Sequence, residues 1–257
     1  MANEFTGRVA LVTGAGRGIG QAIAVALASA GAQVALVARS RDQLERTAEL
    51  VAETGGTSRI IEADLSDLHA LPSVVSQALD AFGTVDILVN NAATVAPLVH
   101  TSQLAAADVE ASLRLNVAVP ILLAAAVMNP MRDRGWGRIV HLSSGVAARP
   151  SAMVGATVYA ATKGAIEAHT LNLAAELDGT GVTVNAYRPG MVDTSMQESI
   201  RGADPRDAGE RLVSGFSRAH DEGRLLTADH SAGVLLAHLV SDASTGNIWD
   251  VAHPPAD

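Results

Sequence analysis

The sequence predicts an α/β fold: a doubly wound parallel sheet of about seven strands with helices on both faces. Three observations point to it. Apolar runs of strand length alternate with longer helical patterns along the 257 residues. The short runs are almost continuously apolar, as parallel strands covered on both faces require. The first of them leads straight into a glycine-rich loop and then a helical pattern.

Taken in order, residues 9–13 read as the first strand and residues 19–30 as the helix after the loop. Strands follow at 33–38, 59–62, 87–90, 138–143 and 182–188, with helices between them at 42–54, 71–82, 107–134 and 158–178. A seventh strand is expected near 247–251. From Asp193 to Thr227 the rhythm breaks into polar sequence with helical stretches and no strand. Ligands in open α/β sheets bind outside the carboxyl ends of the strands, so an insertion there reads as a substrate lid. The alternative is a surface excursion without a role. No repeat or low-complexity linker divides the chain, and one domain is expected over 1–257, with 193–227 as its lid.

Composition narrows the function. With 48% hydrophobic and 18% charged residues a sizeable core is feasible, and with 3% aromatic it must be built from Ala, Val, Leu and Ile. A net charge of −9 opposes phosphate backbones and anionic lipid, which argues against nucleic-acid and membrane partners. The absence of Cys excludes disulfides, thiolate metal sites and Cys nucleophiles. The beginning Met-Ala-Asn-Glu-Phe-Thr-Gly-Arg-Val has no apolar signal core. The longest uncharged stretch, between Arg114 and Arg132, is short for a membrane span and carries Asn116, Pro120, Asn129 and Pro130. It reads as a buried helix, and a cytoplasmic protein is expected.

The loop itself is Thr13-Gly14-Ala15-Gly16-Arg17-Gly18-Ile19-Gly20. Glycines let a backbone turn sharply and approach a pyrophosphate, and the following helix offers free N–H groups and a positive dipole end. A merely structural tight turn is the alternative reading. The spacing Thr-Gly-x-x-x-Gly-x-Gly departs from Gly-x-Gly-x-x-Gly and resembles the short-chain dehydrogenase/reductase family. Further motifs follow in that family's order: Asp64 and Leu65 after the third strand, Asn90-Asn91-Ala92-Ala93 after the fourth, Asn116 in the fifth helix, Ser144, Tyr159, Lys163, then Pro189-Gly190 and Thr194. Ala93 stands where the family has Gly. The resemblance implies a Rossmann-like fold and a nicotinamide cofactor. It implies that Asp64 and Leu65 meet the adenine, that Asn91 and Ala92 border the cofactor, and that backbone near Val192 binds the carboxamide. It also implies that Thr194 contacts the cofactor, Lys163 the nicotinamide ribose, and that Asn116 supports a water chain from Lys163. The alternative reading of Pro189-Gly190 is an ordinary turn.

The choice of cofactor is open to a physical argument. An acidic residue ending the second strand would bind the 2′-hydroxyl of NAD. Here the strand ends Val37-Ala38-Arg39-Ser40, with no carboxylate, and Arg39 and Arg17 are placed for a 2′-phosphate. NADP(H) is therefore expected.

Tyr159 and Lys163 are four residues apart in a helical pattern and share one face. That spacing alone is common on solvated helices. Its position, opening the helix after the fifth strand, gives it meaning. A carbonyl that accepts hydride must also receive a proton. A Tyr hydroxyl, with an ordinary pKa of about 10, becomes a useful acid if a neighbouring ammonium lowers that value. Ser144 is expected to hold the substrate oxygen, with adjacent Ser143 as the second choice. The separation of Ser144 from Tyr159 is longer than the family's usual one, which extra residues within 147–157 explain. The eight His form no His-Glu-x-x-His pattern, and no metal site is expected; His141 reads as a packed strand residue and His169 as lying off the Tyr159 face. Ser144 lacks a Gly-x-Ser-x-Gly setting, against a hydrolase.

Within the family, the runs 189–197, 223–227 and 245–250 resemble sepiapterin reductases, and diketone reductases acting on benzil share much of the pattern. This implies a dicarbonyl or pterin-like ketone, with Asp250 as a carboxylate anchor or, alternatively, a solvated strand residue. Two rivals stay open: another short-chain activity such as 3-oxoacyl reduction, which the acidic surface opposes, and a non-catalytic NADP-binding regulator. The family's paired long helices imply a homodimer or homotetramer, with residues 117–127 and 160–175 as candidate faces.

Overall fold

The computed structural model describes residues 3–255; the first two and last two residues of the domain expected over 1–257 lie outside the described residues. Its sheet has seven strands in the order β3-β2-β1-β4-β5-β6-β7, and every pairing is parallel. The strands are β1 Val9–Thr13, β2 Gln33–Ala38, β3 Thr57–Glu62, β4 Ile87–Asn90, β5 Gly137–Leu142, β6 Val182–Arg188 and β7 Ile248–Asp250. The helices are α1 Gly18–Ser29, α2 Arg41–Glu53, α3 Leu71–Phe82, α4 Ala106–Leu113, α5 Val119–Asp133, α6 Gly145–Ala148, α7 Thr157–Glu176, α8 Ser195–Arg201, α9 Pro205–Ala208, α10 Glu210–Asp221 and α11 Ala228–Ser241.

The strands feed two cores, one on each face. From β1, Ala10 and Val12 join α1 and α11 residues on one face, while Leu11 meets α3, α5 and α7 residues on the other. This explains why β1 is apolar at every position but its last: neither face sees water. The edge strand β3 differs. It begins at Thr57, two residues before the expected 59, and of its six residues only Ile61 is buried. Its polar start is held by full backbone register with β2, from Gln33↔Thr57 to Ala38↔Glu62, which apolar periodicity does not report.

The helix expected over 107–134 is α4 and α5 joined by a π turn at Arg114–Ala118, which contains Asn116. Together they are the one helix, among the described residues, long and apolar enough to cross a membrane. In this fold Val119, Leu123, Ala124, Val127 and Met131 are packed into the core beneath β4 and β5.

The chain leaves β1 towards β2 and β3, then crosses to β4 on β1's other side. The carboxyl ends of β1 and β4 therefore diverge at a topological switch point, where ligands bind in such sheets. Side chains tie that point together. Thr13 Oγ1 donates to Val89 O and accepts from the N–H groups of Asn91 and Ala92 (2.9 and 3.0 Å), and Asn91 Nδ2 donates to Thr13 O at 2.9 Å.

Residues 193–227 hold α8, α9 and α10. The segment is pinched at its base, where Val192 bridges Leu226, Asp193 N donates to Leu226 O, and Leu226 N donates to Met191 O. A third apolar cluster packs it onto the body: Ile200, Ala208, Leu212 and Val213 meet Val95, Val146, Ala156 and Tyr159.

Candidate active site

Two connected hollows lie at the carboxyl edge of the sheet. The larger, about 640 Å³, is bordered by the glycine loop (Gly14, Gly16, Arg17, Gly18, Ile19), the end of β2 (Ala38, Arg39), Asp64, Leu65, Asn91, Ala92 and Thr194. The smaller, about 120 Å³, is bordered by Ser143, Ser144, Tyr159, Lys163, Pro189, Gly190, Val192 and Thr194. Ile19, Asn91, Ala93, Thr194 and Met196 border both, so one hollow opens into the other. Except for Thr13, Gly20 and Asn116, which stand just behind the walls, the expected site residues all border these hollows.

The glycine loop is shaped for close backbone approach. Gly14 has φ 65°, and a Cβ on Gly20 would sit 2.3 Å from Gly14 O and 2.4 Å from Asn91 Nδ2. Only glycine lets the start of α1 reach this near the β1–β4 junction. Across the cleft, Thr194 Cγ2 would lie 3.1 Å from a Cβ on Gly18, so the β6 loop faces the glycine loop. Arg17 and Arg39 are exposed at the mouth and no carboxylate stands at Ala38. Asp64 accepts from Ser66 N and Oγ (3.0 and 2.7 Å), and these bonds, more than nearby Arg39, hold its carboxyl below the usual range. The glycine cradle fits a nicotinamide dinucleotide.

In the smaller hollow Tyr159 and Lys163 stand one turn apart on α7, as the spacing implies. Lys163 Nζ lies 5.6 Å from the centroid of the Tyr159 ring and donates to Leu142 O at 2.6 Å. Their charges do not behave as the sequence suggests. An ammonium beside the phenol was expected to lower its pKa. Instead burial pushes Tyr159 up to about 12, with Ser144 hydrogen bonding opposing this, and burial pushes Lys163 down to about 8, with Glu167 opposing. Burial takes either charged form out of water, and that desolvation is the largest influence on each group.

The two adjacent serines are now distinguished. Ser143 Oγ donates to Glu167 Oε1 at 2.7 Å and is committed there. Ser144 N-caps α6, its Oγ accepting from Val146 N at 3.3 Å, and its hydroxyl is turned to Tyr159 rather than to Glu167. The extra residues after Ser144 form α6 and a 3₁₀ turn at Pro150–Met153, and Met153 borders the hollow. Asn116 exchanges two 2.8 Å hydrogen bonds with the backbone of Thr94 and donates to Thr162 Oγ1 at 3.1 Å. Thr162 in turn donates to Tyr159 O at 2.8 Å, so Asn116 ties the β4 loop to the Tyr159 turn.

Some neighbours were not singled out from the sequence. Glu167, one turn beyond Lys163, takes both Arg188 Nε and Nη2 at 2.8 Å as well as the Ser143 hydroxyl. The i+4 spacing of Lys163 and Glu167 was legible; the Arg188 partner, from another strand, was not. Met196, Gln197, Ile200 and Phe216 border the smaller hollow from the 193–227 segment. Asp250, by contrast, does not border it; its Oδ1 accepts from Ala252 N in the turn after β7. His141 is buried, with Asn90 Nδ2 at 3.2 Å from its Nδ1, and its ring lies 5.3 Å from that of His169.

Comparison with known proteins agrees with this geometry. The sequence model for short chain dehydrogenases matches residues 8–205. The short-chain reductase protein NovJ of Streptomyces niveus is 37% identical over 234 residues, covering 89% of this chain and 85% of NovJ. The L-xylulose reductase of Mus musculus is 40% identical over 205 residues, 79% of each chain. Among solved structures, a candidate NAD(P)-dependent gluconate 5-dehydrogenase from Beutenbergia cavernae, with NADP bound at low occupancy, superposes with TM-score 0.83 at 33% identity, covering 96% of this chain and 95% of that one.

Proposed function

This chain belongs to the short-chain dehydrogenase family and is an NAD(P)H-dependent oxidoreductase of alcohol or ketone groups, and on that premise we propose that it reduces a ketone at the expense of NADPH. One observation carries the reading: Ser144, Tyr159 and Lys163 border a small hollow that opens directly into the glycine-lined cleft.

When bound in that cleft, NADPH supplies the hydride. The chain's own residues do the rest. Gly14, Gly16, Gly18 and Gly20, with Ile19, admit the pyrophosphate to the start of α1, and Arg17 and Arg39 meet the 2′-phosphate. Asp64 and Leu65 border the adenine, and Asn91 and Ala92, anchored on Thr13, form the floor. Pro189, Gly190, Val192 and Thr194 hold the nicotinamide end. Ser144 donates a hydrogen bond to the substrate oxygen, on which negative charge develops, and keeps its proton. Tyr159 gives that oxygen its proton, and the Lys163 ammonium stabilises the phenolate left behind. Asn116 keeps the Tyr159 turn in register with the β4 loop.

The substrate we propose is a ketone with a second polar function, of dicarbonyl or pterin-like kind. An otherwise apolar wall of Met153, Met196, Ile200 and Phe216 carrying one polar side chain, Gln197, supports it. The relative named for L-xylulose supports ketone reduction more broadly. The experiment is a comparison of kcat/KM with NADPH and NADH over a panel of diketones, sepiapterin and a 3-oxoacyl thioester, on wild type and Tyr159→Phe. We expect a NADPH/NADH ratio above one, and in Tyr159→Phe a kcat lowered by about 10²–10⁴ with NADPH still bound. A ratio below one refutes the cofactor assignment, and near-normal Tyr159→Phe turnover refutes the proton donor.

A further inference from the structure

Glu167 is buried, and both its oxygens are engaged. Oε1 accepts from the Ser143 hydroxyl at 2.7 Å and from Arg188 Nε at 2.8 Å, and Oε2 accepts from Arg188 Nη2 at 2.8 Å. The guanidinium fork fixes the carboxylate in place. Stability alone is a weak reason for such a pair, because a buried ion pair costs two desolvations and apolar side chains of similar volume often do as well or better. Its position points to a neighbour on the same helix. Lys163 stands one turn before Glu167 on α7. Both side chains run to the end of β5, where Lys163 Nζ donates to Leu142 O at 2.6 Å and Glu167 takes the hydroxyl of the next residue, Ser143. Among the described residues Lys163 has no ion-pair partner, so an ammonium and a carboxylate converge in buried surroundings without touching.

We propose that Glu167 is a positioning residue for the reduction: its clamped carboxylate supplies the negative charge that keeps the Lys163 amine in its ammonium form, and Arg188 moderates that charge. This rests on the ketone-reductase reading, in which the ammonium stabilises the Tyr159 phenolate. Burial pulls the amine down to about 8 even with Glu167 opposing. The other titratable groups around Lys163 do not replace that carboxylate. Tyr159, on the same helix, is pushed up to about 12 and is neutral below that. His141, on β5, is pushed down to about 3 and carries no charge near neutral pH. His169, further along α7, is also lowered by burial. Arg188, on β6, is a cation, and Asp250, across the β6–β7 register from it, offsets part of its charge. The π turn presents the neutral Asn116, while Asp108 and Glu110 on α4 and Arg149 after α6 are exposed.

Lys163 is the only lysine in the chain, so protein grown on isotope-labelled lysine gives one side-chain amine signal by NMR, and its titration reads the proton affinity directly. Wild type, Glu167→Gln, Glu167→Asp, Arg188→Gln and the double variant Glu167→Gln/Arg188→Gln are titrated with NADPH bound. Beside this, kcat/KM is followed against pH for the ketone that wild type reduces best. We expect the proton affinity of Lys163 to fall about tenfold in Glu167→Gln and by less in the double variant, and to rise in Arg188→Gln. Glu167→Asp, which keeps the charge, should stay closer to wild type than Glu167→Gln does. The sign separates charge from packing, because a merely structural staple, once cut, admits water and raises the affinity in Glu167→Gln as well. An unchanged or raised affinity in Glu167→Gln therefore overturns the inference while leaving ketone reduction standing. If that variant does not fold, the same result in the double variant, which buries no unpaired charge, overturns it. The alkaline limb of kcat/KM should move in the same direction as the amine signal. A limb that ignores the signal, or wild type that binds NADPH and turns over no ketone, overturns the underlying reading and this inference with it.

Discussion

Lys163 is 4% exposed, and its amine has only the Leu142 carbonyl as a hydrogen-bond partner among the described residues. Its pKa falls from the ordinary 10.5 to about 8. Between those values the unfolded chain binds a proton that the folded one has released, so stability rises with pH there; below about 8 the penalty for a buried ammonium is fully present. Its size is about 3 kcal/mol by linkage. Urea unfolding of wild type and Lys163→Met should show the variant gaining on wild type as pH falls from about 10 to 8 and holding a constant offset below. The slope is the test, because the substitution also removes the bond to Leu142. Measurements stay below pH 10 because Tyr159 acts in the opposite sense: its raised pKa is a source of stability that is lost as pH climbs from 10 to about 12. A pH-independent difference would show that Lys163 keeps its proton on folding. On the proposed function, the burial that sets Lys163 beside Tyr159 also makes it a liability for stability.

Among the elements, the 193–227 segment is joined to the body by a close backbone contact. Gly155, just before α7, has φ 96°, and a Cβ there would sit 1.9 Å from Ala208 O in α9. The loop leading to Tyr159 and the segment that borders the smaller hollow therefore meet backbone to backbone. Gly155→Ala must both strain the left-handed residue and push α9 away. A loss of about 1–3 kcal/mol is expected. The kinetic consequence should be selective: KM for the ketone rises while NADPH affinity, set at the far end of the cleft, holds. Equilibrium unfolding with separate ketone and NADPH titrations checks this, and a parallel loss of NADPH binding would show that the segment does not act as a substrate wall. The π turn at Arg114–Ala118 is a second device at this scale, placing Asn116 where it reaches Thr94 and Thr162 at once.

For the whole molecule, the sheet order brings both ends of the site together. Crossing from β3 back to β4 opens the switch point for the dinucleotide, and the β5 and β6 crossings set Ser144, Tyr159 and Gly190 beside it. The exposed faces of α4, α5 and α7 concern association. Of the apolar run 117–127, Val119, Leu123, Ala124 and Val127 are spent on the core, while Leu122 stays 44% exposed, with Leu113 at 41% and Leu171 at 48% on neighbouring helices. Three large apolar side chains left outside on α4, α5 and α7 fit a self-associating face. Sedimentation should find a homodimer or homotetramer, and Leu122→Glu with Leu171→Glu should shift it towards monomer. A monomeric wild type would leave these helices as mere covers of the sheet.

Much of this was written in local pattern. Continuous apolar runs disclosed the parallel strands, because burial on both faces leaves its mark on every residue, and the glycine spacing and the Tyr159–Lys163 pair disclosed residues that border the two hollows, because turn geometry and helical pitch act over a few residues. The polar start of β3 escaped, being held by backbone pairing that side-chain pattern does not record. So did the pairing of Glu167 with Arg188, the junction of Gly155 with Ala208, and the place of Gln197 beside the smaller hollow, since each joins residues on separate elements. The direction of the Tyr159 and Lys163 shifts was missed for a related reason. Sequence shows which charges are neighbours, but desolvation depends on everything packed around them, and that exists only once the chain is folded. The sequence by itself determined the fold class and the place of the glycine loop; the tertiary structure alone decided that Ser143 is held by Glu167, how strongly Tyr159 and Lys163 are shielded from water, and which side chains of the 193–227 segment border the smaller hollow, because each depends on residues that only folding brings together.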